Sequence, residues 1–140
     1  MNKSKVYKVI LVDDCSEFLE GLQLFFNSLT NYQVIDTVND GSEIVNHPLL
    51  IEADVILMDV NMPKLNGITA GQRVNFQYHN IKMVAITLNK DRVYLEELIR
   101  AGFKGFVDKK YIVEELENVL STVMSNQLAF PKNLLLSLGL

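Results

Sequence analysis

Residues 55–67, VILMDVNMPKLNG, decide the fold of this chain. Four apolar residues, Val55 to Met58, are followed abruptly by a carboxylate at Asp59. A short continuous apolar run predicts a strand that is buried on both faces, as in a parallel sheet. Pro63 and Gly67 then punctuate a loop. Asp59 therefore stands at the end of a buried strand, where an uncompensated carboxylate is costly.

Three further apolar runs are also followed by polar residues. Residues 9–12 precede Asp13 and Asp14, residues 83–86 precede Thr87, and a weaker run at residues 103–107 leads to Lys109. If these runs form neighbouring parallel strands, their carboxyl ends share one edge of the sheet. Three carboxylates, one hydroxyl and one ammonium group would then meet in one place. This combination suggests a magnesium-dependent phosphoryl-accepting site built on an aspartate.

Strand-like and helix-like segments alternate along the chain. The predicted strands are residues 6–12, 33–38, 53–58, 82–87 and 104–107, and the predicted helices are residues 15–30, 40–47, 68–78, 91–101 and 112–124. This alternation predicts an α/β fold with a doubly wound, five-stranded parallel sheet. Right-handed crossovers and the chain length favour the flavodoxin-like strand order 2-1-3-4-5. In that order the first and third strands are adjacent and flank a ligand-binding crevice.

The composition is that of an ordinary globular domain of 140 residues, with 49% hydrophobic and 21% charged residues. A net charge of −4 and a pI near 5.1 disfavour direct binding of nucleic acid. No apolar run approaches the roughly 20 residues that cross a bilayer, and the polar N-terminus lacks a secretory signal. The single cysteine, Cys15, fits a reducing compartment. We therefore expect a cytoplasmic chain that binds neither membrane nor nucleic acid directly.

The three carboxylates predict a cation site. Asp13, Asp14 and Asp59 would repel one another unless a cation lay between them, and a compact set of oxygen ligands suits Mg²⁺. An alternative interpretation is that Asp13 and Asp14 only favour the start of the first helix through its dipole. Asp59 favours the metal site, because capping does not explain a carboxylate at the end of another buried strand.

The chain resembles the receiver domain of two-component response regulators over residues 6–125. The resemblance is carried by ILVDD at 10–14, ILMDVNMPKLNG at 56–67, AIT at 85–87 and AGFKGFVDK at 101–109. The sequence DDCSEFLEGL at 13–22 is similar to the NarL/FixJ-type subgroup, whose members usually carry a C-terminal helix-turn-helix. The resemblance implies that a sensor histidine kinase or a phosphotransfer protein is the partner.

The resemblance also implies a role for each residue of the metal and phosphoacceptor site. Asp59 would accept the phosphoryl group from a histidine. Asp14 and Asp59 would bind Mg²⁺ directly, Asp13 would bind it through water, and the carbonyl of Asn61 would supply a further ligand. Such a protein catalyses its own phosphorylation and dephosphorylation and is not a turnover enzyme.

Two residues are implied to transmit the phosphorylation signal. Thr87 would move inward to bond the phosphoryl group, beside a second contact from Lys109, and Phe106 would rotate into the vacated space. The surface formed by the helix after Thr87, the last strand and the last predicted helix would then signal to a downstream output such as transcription. For Phe106, a plain core position is an equally open interpretation.

Three residues depart from the family pattern. Leu88 is bulky where a small residue is usual, so it could restrict phosphoryl access. Asp108 replaces an apolar residue and could weaken the field of Lys109, and Lys110 is expected to point away from the site. The main alternative function is therefore a receiver-like interaction module that is not phosphorylated. An aspartate-based phosphohydrolase is less favoured, because such enzymes carry their nucleophile on the first strand.

We divide the chain into a receiver domain at residues 1–126 and a linker-like apolar tail at residues 127–140. The tail can form a short helix that starts near Pro131 and ends near Gly139. It resembles the linker before the helix-turn-helix of the subgroup, and we expect that output domain to be absent. Its many leucines should pack on the domain or on a second copy, which would make a homodimer.

Overall fold

A computed structural model describes residues 5–62 and 66–140, so Pro63, Lys64 and Leu65 of the predicted loop lie outside the described residues. Five strands form one sheet: β1 (Tyr7–Val12), β2 (Tyr32–Val38), β3 (Val55–Asp59), β4 (Lys82–Thr87) and β5 (Gly105–Asp108). All neighbouring strands are parallel, in the order β2-β1-β3-β4-β5. The predicted doubly wound, flavodoxin-like fold is therefore confirmed.

Helices cover both faces of the sheet. They are α1 (Ser16–Asn27), α2 (Gly67–Gln77), α3 (Arg92–Arg100), α4 (Ile112–Met124) and α5 (Lys132–Ser137). Side chains of α1 and α4 share one apolar cluster with alternate residues of the strands. Side chains of α2, α3 and α5 share the other cluster. Within the described parts of the chain, no helix has the length and apolar character needed to cross a membrane.

The helix predicted over residues 40–47 is wrong. Residues Gly41–Glu43 form a single 3₁₀ turn, and a second such turn covers Leu50–Glu52. The predicted cap at Asp40 does form, because its side chain accepts a hydrogen bond from the Ser42 N–H at 3.0 Å. The backbone then bonds three residues ahead rather than four, and Pro48 has no N–H to extend a helix. The connection from β2 to β3 is consequently made of turns.

Residues 127–140, hereafter the C-terminal segment, fold back onto the receiver domain. The Ala129 N–H donates to the Lys104 carbonyl at 2.8 Å, which brings the segment alongside β5. Phe130 and Leu134 are buried in the same apolar cluster as α2 and α3. The apolar tail therefore packs on its own domain in this structure.

Candidate phosphoacceptor site

The carboxyl ends of β1 and β3 bring two buried carboxylates to one lysine. Asp13 follows β1 and Asp59 ends β3, and these strands are direct neighbours. Lys109, in the 3₁₀ turn after β5, places its Nζ 3.0 Å from Asp13 Oδ2 and 2.9 Å from Asp59 Oδ2. The Lys109 side chain is 24% exposed, whereas both aspartates are almost fully buried. The strand order thus assembles the predicted set from positions 96 residues apart.

Backbone groups hold the second oxygen of each carboxylate. Asp13 Oδ1 accepts a hydrogen bond from the Cys15 N–H at 2.8 Å, and Asp59 Oδ1 accepts one from the Asn61 N–H at 2.8 Å. Both bonds close tight turns in which an aspartate side chain bonds the backbone two residues ahead. The two carboxylates are therefore fixed in position before any ligand binds.

The donor set fits a hard divalent cation. Ligand oxygens of Asp13, Asp14 and Asp59 all lie within 4.8 Å of one another, and Asp14 is exposed to solvent. Three carboxylates against the single ammonium of Lys109 leave an excess of negative charge. Oxygen ligands with one side open to water are typical of Mg²⁺ sites, which retain several water ligands. The predicted metal residues are thus brought together, with Asn61 bonded directly to Asp59.

Burial, hydrogen bonds and neighbouring charges together set the ionisation of the site. Burial raises the pKa of Asp13, and the nearby charge of Asp59 adds to the rise, although the Cys15 N–H and Lys109 act in the opposite direction. Burial lowers the pKa of Lys109, but the hydrogen bonds and charges of both aspartates outweigh it, so the pKa is raised overall. Lys109 therefore stays charged at neutral pH and pairs with both aspartates.

Two aromatic residues that sequence analysis missed border the site. The ring of Phe18 in α1 lies under the Lys109 ammonium, with Nζ 4.4 Å from the ring centroid, a favourable cation–π geometry. The Tyr94 hydroxyl in α3 accepts a hydrogen bond from Asn61 Nδ2 at 3.3 Å. Tyr94 belongs to no recognisable motif, and Phe18 lies within DDCSEFLEGL at 13–22, which does not by itself predict a contact with Lys109.

Thr87 is buried at the end of β4 and is held by two asparagines. Its hydroxyl lies 3.1 Å from Asn61 Oδ1 and 3.1 Å from the Asn89 carbonyl, and it accepts the Asn89 N–H at 2.9 Å. The Leu88 N–H also donates to Asn61 Oδ1, at 3.1 Å. The Asn61 side chain thus joins the loop after β3 to the loop after β4. No motif in the sequence predicts these bonds of the Asn61 side chain.

This geometry agrees with the comparisons to known proteins. Residues 9–121 match the sequence model of the family described as the response regulator receiver domain. The chain belongs to this family. Its fold is similar to a solved LuxR-family two-component response regulator from Aurantimonas sp., with a TM-score of 0.83 and 20% identity over 93% of each chain. It is also similar to the isolated receiver domain of RcsB from Salmonella enterica, with a TM-score of 0.81 over 93% of this chain and 96% of the other.

Curated relatives of this receiver domain are transcription regulators by name. It is 34% identical to the uncharacterized transcriptional regulatory protein YxjL of Bacillus subtilis over 93% of this chain and 59% of that protein. It is 28% identical to the oxygen regulatory protein NreC of Staphylococcus carnosus over 83% of this chain and 54% of that protein. The chain therefore spans a little more than half the length of these relatives.

The structure also places the residues that depart from the receiver pattern. Leu88 is 58% exposed, so its side chain lies mainly in solvent. Asp108 Oδ2 pairs with Lys90 Nζ at 2.9 Å, and its effect on Lys109 stays a prediction. Asp108 Oδ1 also accepts the Lys110 N–H at 3.0 Å. The hydrogen bond from Lys90 lowers the pKa of Asp108, and Lys110 is exposed to solvent.

Phe106 lies half-buried in β5 and contacts the C-terminal segment. Its ring centroid is 5.6 Å from that of Phe130, with the ring planes tilted by 33°. It packs against the apolar cluster that contains α2 and α3. Phe106 is therefore a core-packing residue in this structure, and its movement as a switch stays a prediction.

Proposed function

We propose that this receiver domain accepts a phosphoryl group on Asp59 in a Mg²⁺-dependent reaction and then changes conformation to control a downstream output. The observation that carries the proposal is the buried pair Asp13 and Asp59 sharing the Lys109 ammonium, with Asp14 within reach of the same cation position. Asp59 is thus a fixed carboxylate nucleophile, and it lies next to a position where a cation can bind. Membership of the receiver family supports the same assignment.

In the proposed transfer, a carboxylate oxygen of Asp59 forms a bond to phosphorus while the bond from phosphorus to the donor breaks. The donor is a phosphohistidine or a small acyl phosphate, and the leaving group keeps the electron pair of the broken bond. Mg²⁺ held by Asp14, Asp59, the Asn61 carbonyl and, through water, Asp13 would neutralise charge on the transferred group. Lys109 already contacts Asp59 Oδ2 and is placed to contact a phosphoryl oxygen next.

The proposed switch begins at Thr87. The acyl phosphate adds roughly −1.5 to −2 charge and new acceptor oxygens beside the end of β4. To donate to one of these oxygens, the Thr87 hydroxyl must give up its present partners, Asn61 and Asn89. Because Thr87 carries the loop that leads into α3, its movement would shift that loop and leave space for Phe106.

The proposed partners follow from this chemistry. A sensor histidine kinase or a phosphotransfer protein supplies the phosphoryl group, and we propose that this transfer takes place in the cytoplasm. The names of the relatives support transcription as the controlled output. We expect this chain to act without binding nucleic acid itself and without turning over a free metabolite.

The proposal is tested by intact-mass spectrometry after incubation with acetyl phosphate and Mg²⁺. We expect one phosphoryl adduct in the wild type, and none in Asp59→Asn or when Mg²⁺ is chelated. Asp54→Asn is the matched control, because Asp54 precedes β3 and bonds the Lys8 N–H at the opposite end of the strand. An unmodified wild-type protein would contradict the proposal and favour the interaction module. An adduct retained in Asp59→Asn would contradict the assigned residue.

A further inference from the structure

The Lys109 ammonium contacts an aromatic ring as well as two carboxylates. Its Nζ lies 3.0 Å from Asp13 Oδ2 and 2.9 Å from Asp59 Oδ2, and it lies 4.4 Å from the centroid of the Phe18 ring. A cation within about 6 Å of a ring centroid is attracted by the negative face of the ring. The ring therefore adds an attraction to the hydrogen bonds that the ammonium donates to the aspartates.

The first turn of α1 holds the Phe18 ring in place. The Cys15 N–H donates to Asp13 Oδ1 at 2.8 Å, and the Leu19 N–H donates to the Cys15 carbonyl at 3.1 Å. The start of the helix is thus tied to one carboxylate of the site. The half-buried Phe18 side chain also packs against the apolar cluster of α1 and α4. Because the lysine stem is flexible, this fixed ring restricts where the Lys109 ammonium can lie.

The ring also keeps water away from one side of the ammonium. At 4.4 Å from the ring centroid, Nζ leaves no room for a water molecule between itself and the ring. Charges attract more strongly where water is excluded, so the ring strengthens the pairing of Lys109 with both aspartates. An aliphatic side chain at position 18 would exclude water too, but it would not attract a cation. The two effects can therefore be separated by substitution.

A second lysine at the same edge of the sheet has a looser aromatic contact. Lys90 Nζ lies 5.9 Å from the centroid of the Tyr111 ring, close to the outer limit for such an attraction. Both partners are exposed, with 53% of the Lys90 side chain and 51% of Tyr111 open to solvent. Of these two lysines, only Lys109 has a close and half-buried ring, and only Lys109 contacts the proposed phosphoacceptor.

We propose that Phe18 is a positioning residue for phosphoryl transfer, whose ring holds the Lys109 ammonium where it can contact the phosphoryl group on Asp59. The inference rests on the proposed function, because it assigns that contact to Lys109. When an oxygen of Asp59 becomes bonded to phosphorus, Lys109 must exchange a carboxylate contact for a phosphoryl oxygen. The ring takes no part in the bond changes, so its attraction for the ammonium persists throughout the transfer. A donor that is already in position needs little reorganisation during the reaction.

The surroundings of the ring allow well-matched substitutions. Phe18 lines an apolar cavity of about 230 Å³ between α1 and α4, and a Cβ built at Gly21 in the same cavity meets open space. Phe18→Tyr and Phe18→Trp therefore have room to keep an aromatic face beside Lys109. Phe18→Leu keeps an apolar side chain and removes that face. Phe25→Leu is the control, because Phe25 lines the same cavity and its ring packs against Phe26, with centroids 6.0 Å apart.

The first part of the test measures the contact itself. In proton NMR spectra, the ring current of Phe18 should shift the signals of the Lys109 ε-methylene group upfield. We expect this shift in the wild type, Phe18→Tyr and Phe25→Leu, and we expect its loss in Phe18→Leu. Lys109→Met identifies the signals by their disappearance. Phe18→Met replaces Phe18→Leu if the leucine variant does not fold.

The second part measures the effect of the contact on transfer. With acetyl phosphate and Mg²⁺, Phe18→Leu should form the Asp59 adduct roughly 3- to 10-fold more slowly than the wild type. Binding of beryllofluoride, a mimic of the acyl phosphate, should weaken by a similar factor. Phe18→Tyr and Phe18→Trp should restore both quantities. Binding of Mg²⁺ alone should not weaken in Phe18→Leu, because the carboxylates of the metal set remain in place.

The outcomes separate this inference from the proposed function. An adduct that forms equally fast in the wild type and Phe18→Leu would overturn the inference and leave the proposed function intact. Equal slowing in Phe25→Leu, no recovery in Phe18→Tyr, or weaker Mg²⁺ binding in Phe18→Leu would also overturn it, because each result indicates a general packing effect. Absence of an adduct in the wild type would instead overturn the proposed function, and with it the inference that rests on it.

Discussion

Two lysines at the same edge of the sheet meet buried aspartates in different ways. Lys109 is shared between Asp13 and Asp59, whereas Lys90 pairs with Asp108 alone. Burial leaves the pKa of Asp13 raised despite the shared lysine, but the hydrogen bond from Lys90 lowers the pKa of Asp108. The first cluster is short of positive charge and the second is balanced. Both aspartates have shifted pKa values, but only that of Asp13 is raised by burial, beside a second carboxylate in a cleft, and this combination identifies a candidate functional site.

Replacing each lysine gives the sharpest test of this difference. Lys109→Met should leave two buried carboxylates facing each other, and breaking such a contact costs on the order of 3–5 kcal/mol. Loss of one preorganised donor should also slow phosphoryl transfer to Asp59 by roughly 10²–10³-fold. Rates of adduct formation with acetyl phosphate and denaturant unfolding measure the two effects. Lys90→Met is the matched control, and equal rates in the two variants would refute the distinction.

A divalent cation should reduce the repulsion between carboxylates only in the cluster of Asp13 and Asp59. We expect saturating Mg²⁺ to stabilise the wild type by about 2.7 kcal/mol at a hundredfold excess over the dissociation constant. Asp14→Asn should lose most of this gain, because Asp14 is the exposed carboxylate of the metal set. Asp108→Asn should keep it. Thermal unfolding with and without Mg²⁺ measures the gain, and an equal gain in both variants would place the ion elsewhere.

The direction in which stability changes with pH follows from the raised pKa of Asp13. The folded carboxyl holds its proton to a higher pH than the unfolded one, whose pKa is about 3.9. Without metal, the contribution of Asp13 to stability is therefore greatest below its unfolded pKa and is lost as the pH rises through its folded pKa. Protons also compete with the cation, so the stabilisation by Mg²⁺ should shrink on acidification. Unfolding curves from pH 7 to pH 4 measure this, and a larger effect of Mg²⁺ at pH 4 would contradict it.

The fold and the reacting residues could be predicted because strong local patterns encode them. Continuous apolar runs marked the strands, and the topology rule for parallel sheets placed Asp13, Asp59 and Lys109 together. The helix over residues 40–47 was mispredicted because a capping residue and a following proline also fit a single 3₁₀ turn. A tertiary contact accompanies the 3₁₀ turn in place of the helix. His47 Nε2, at the end of the predicted helix, lies 2.6 Å from Asp36 Oδ2 of β2.

The partners of individual side chains could not be predicted in the same way. Asp108 neighbours Lys109 in sequence, but its partner Lys90 lies on a different loop, and no spacing rule connects them. The link from Asn61 to Tyr94 likewise joins residues 33 positions apart. Packing of the C-terminal segment was predicted from its leucines, but its contact with Phe106 depends on how the chain turns back after α4.

The loop after β3, which carries Asn61, offers a test with a smaller expected effect on phosphoryl transfer. Asn61 Oδ1 accepts bonds from Thr87 and Leu88, and its amide is oriented by the Tyr94 hydroxyl. Tyr94→Phe removes one hydrogen bond from this arrangement, a change of about 0.5–1.5 kcal/mol. We expect Thr87 to be released more easily and the adduct to form roughly 2- to 10-fold faster. Tyr111→Phe is a control at an exposed ring, and a slower reaction in Tyr94→Phe alone would show that Tyr94 assists the transfer instead.

The smallest effect on phosphoryl transfer is expected at the pair of Lys90 and Asp108. Because Lys90 lowers the pKa of Asp108, this carboxylate contributes stability above its unfolded pKa, and that contribution is lost as the pH falls through the folded pKa. Lys90→Met removes the main cause of the shift, so the pKa of Asp108 should rise and the variant should lose less stability on acidification than the wild type. NMR titration of the Asp108 carboxyl and unfolding at pH 7 and pH 3 measure both quantities. Adduct formation on Asp59 should hardly change, because Lys90 neutralises a carboxylate that lies outside the reacting set. If Lys90→Met slowed transfer as much as Lys109→Met, the two clusters would form one electrostatic unit.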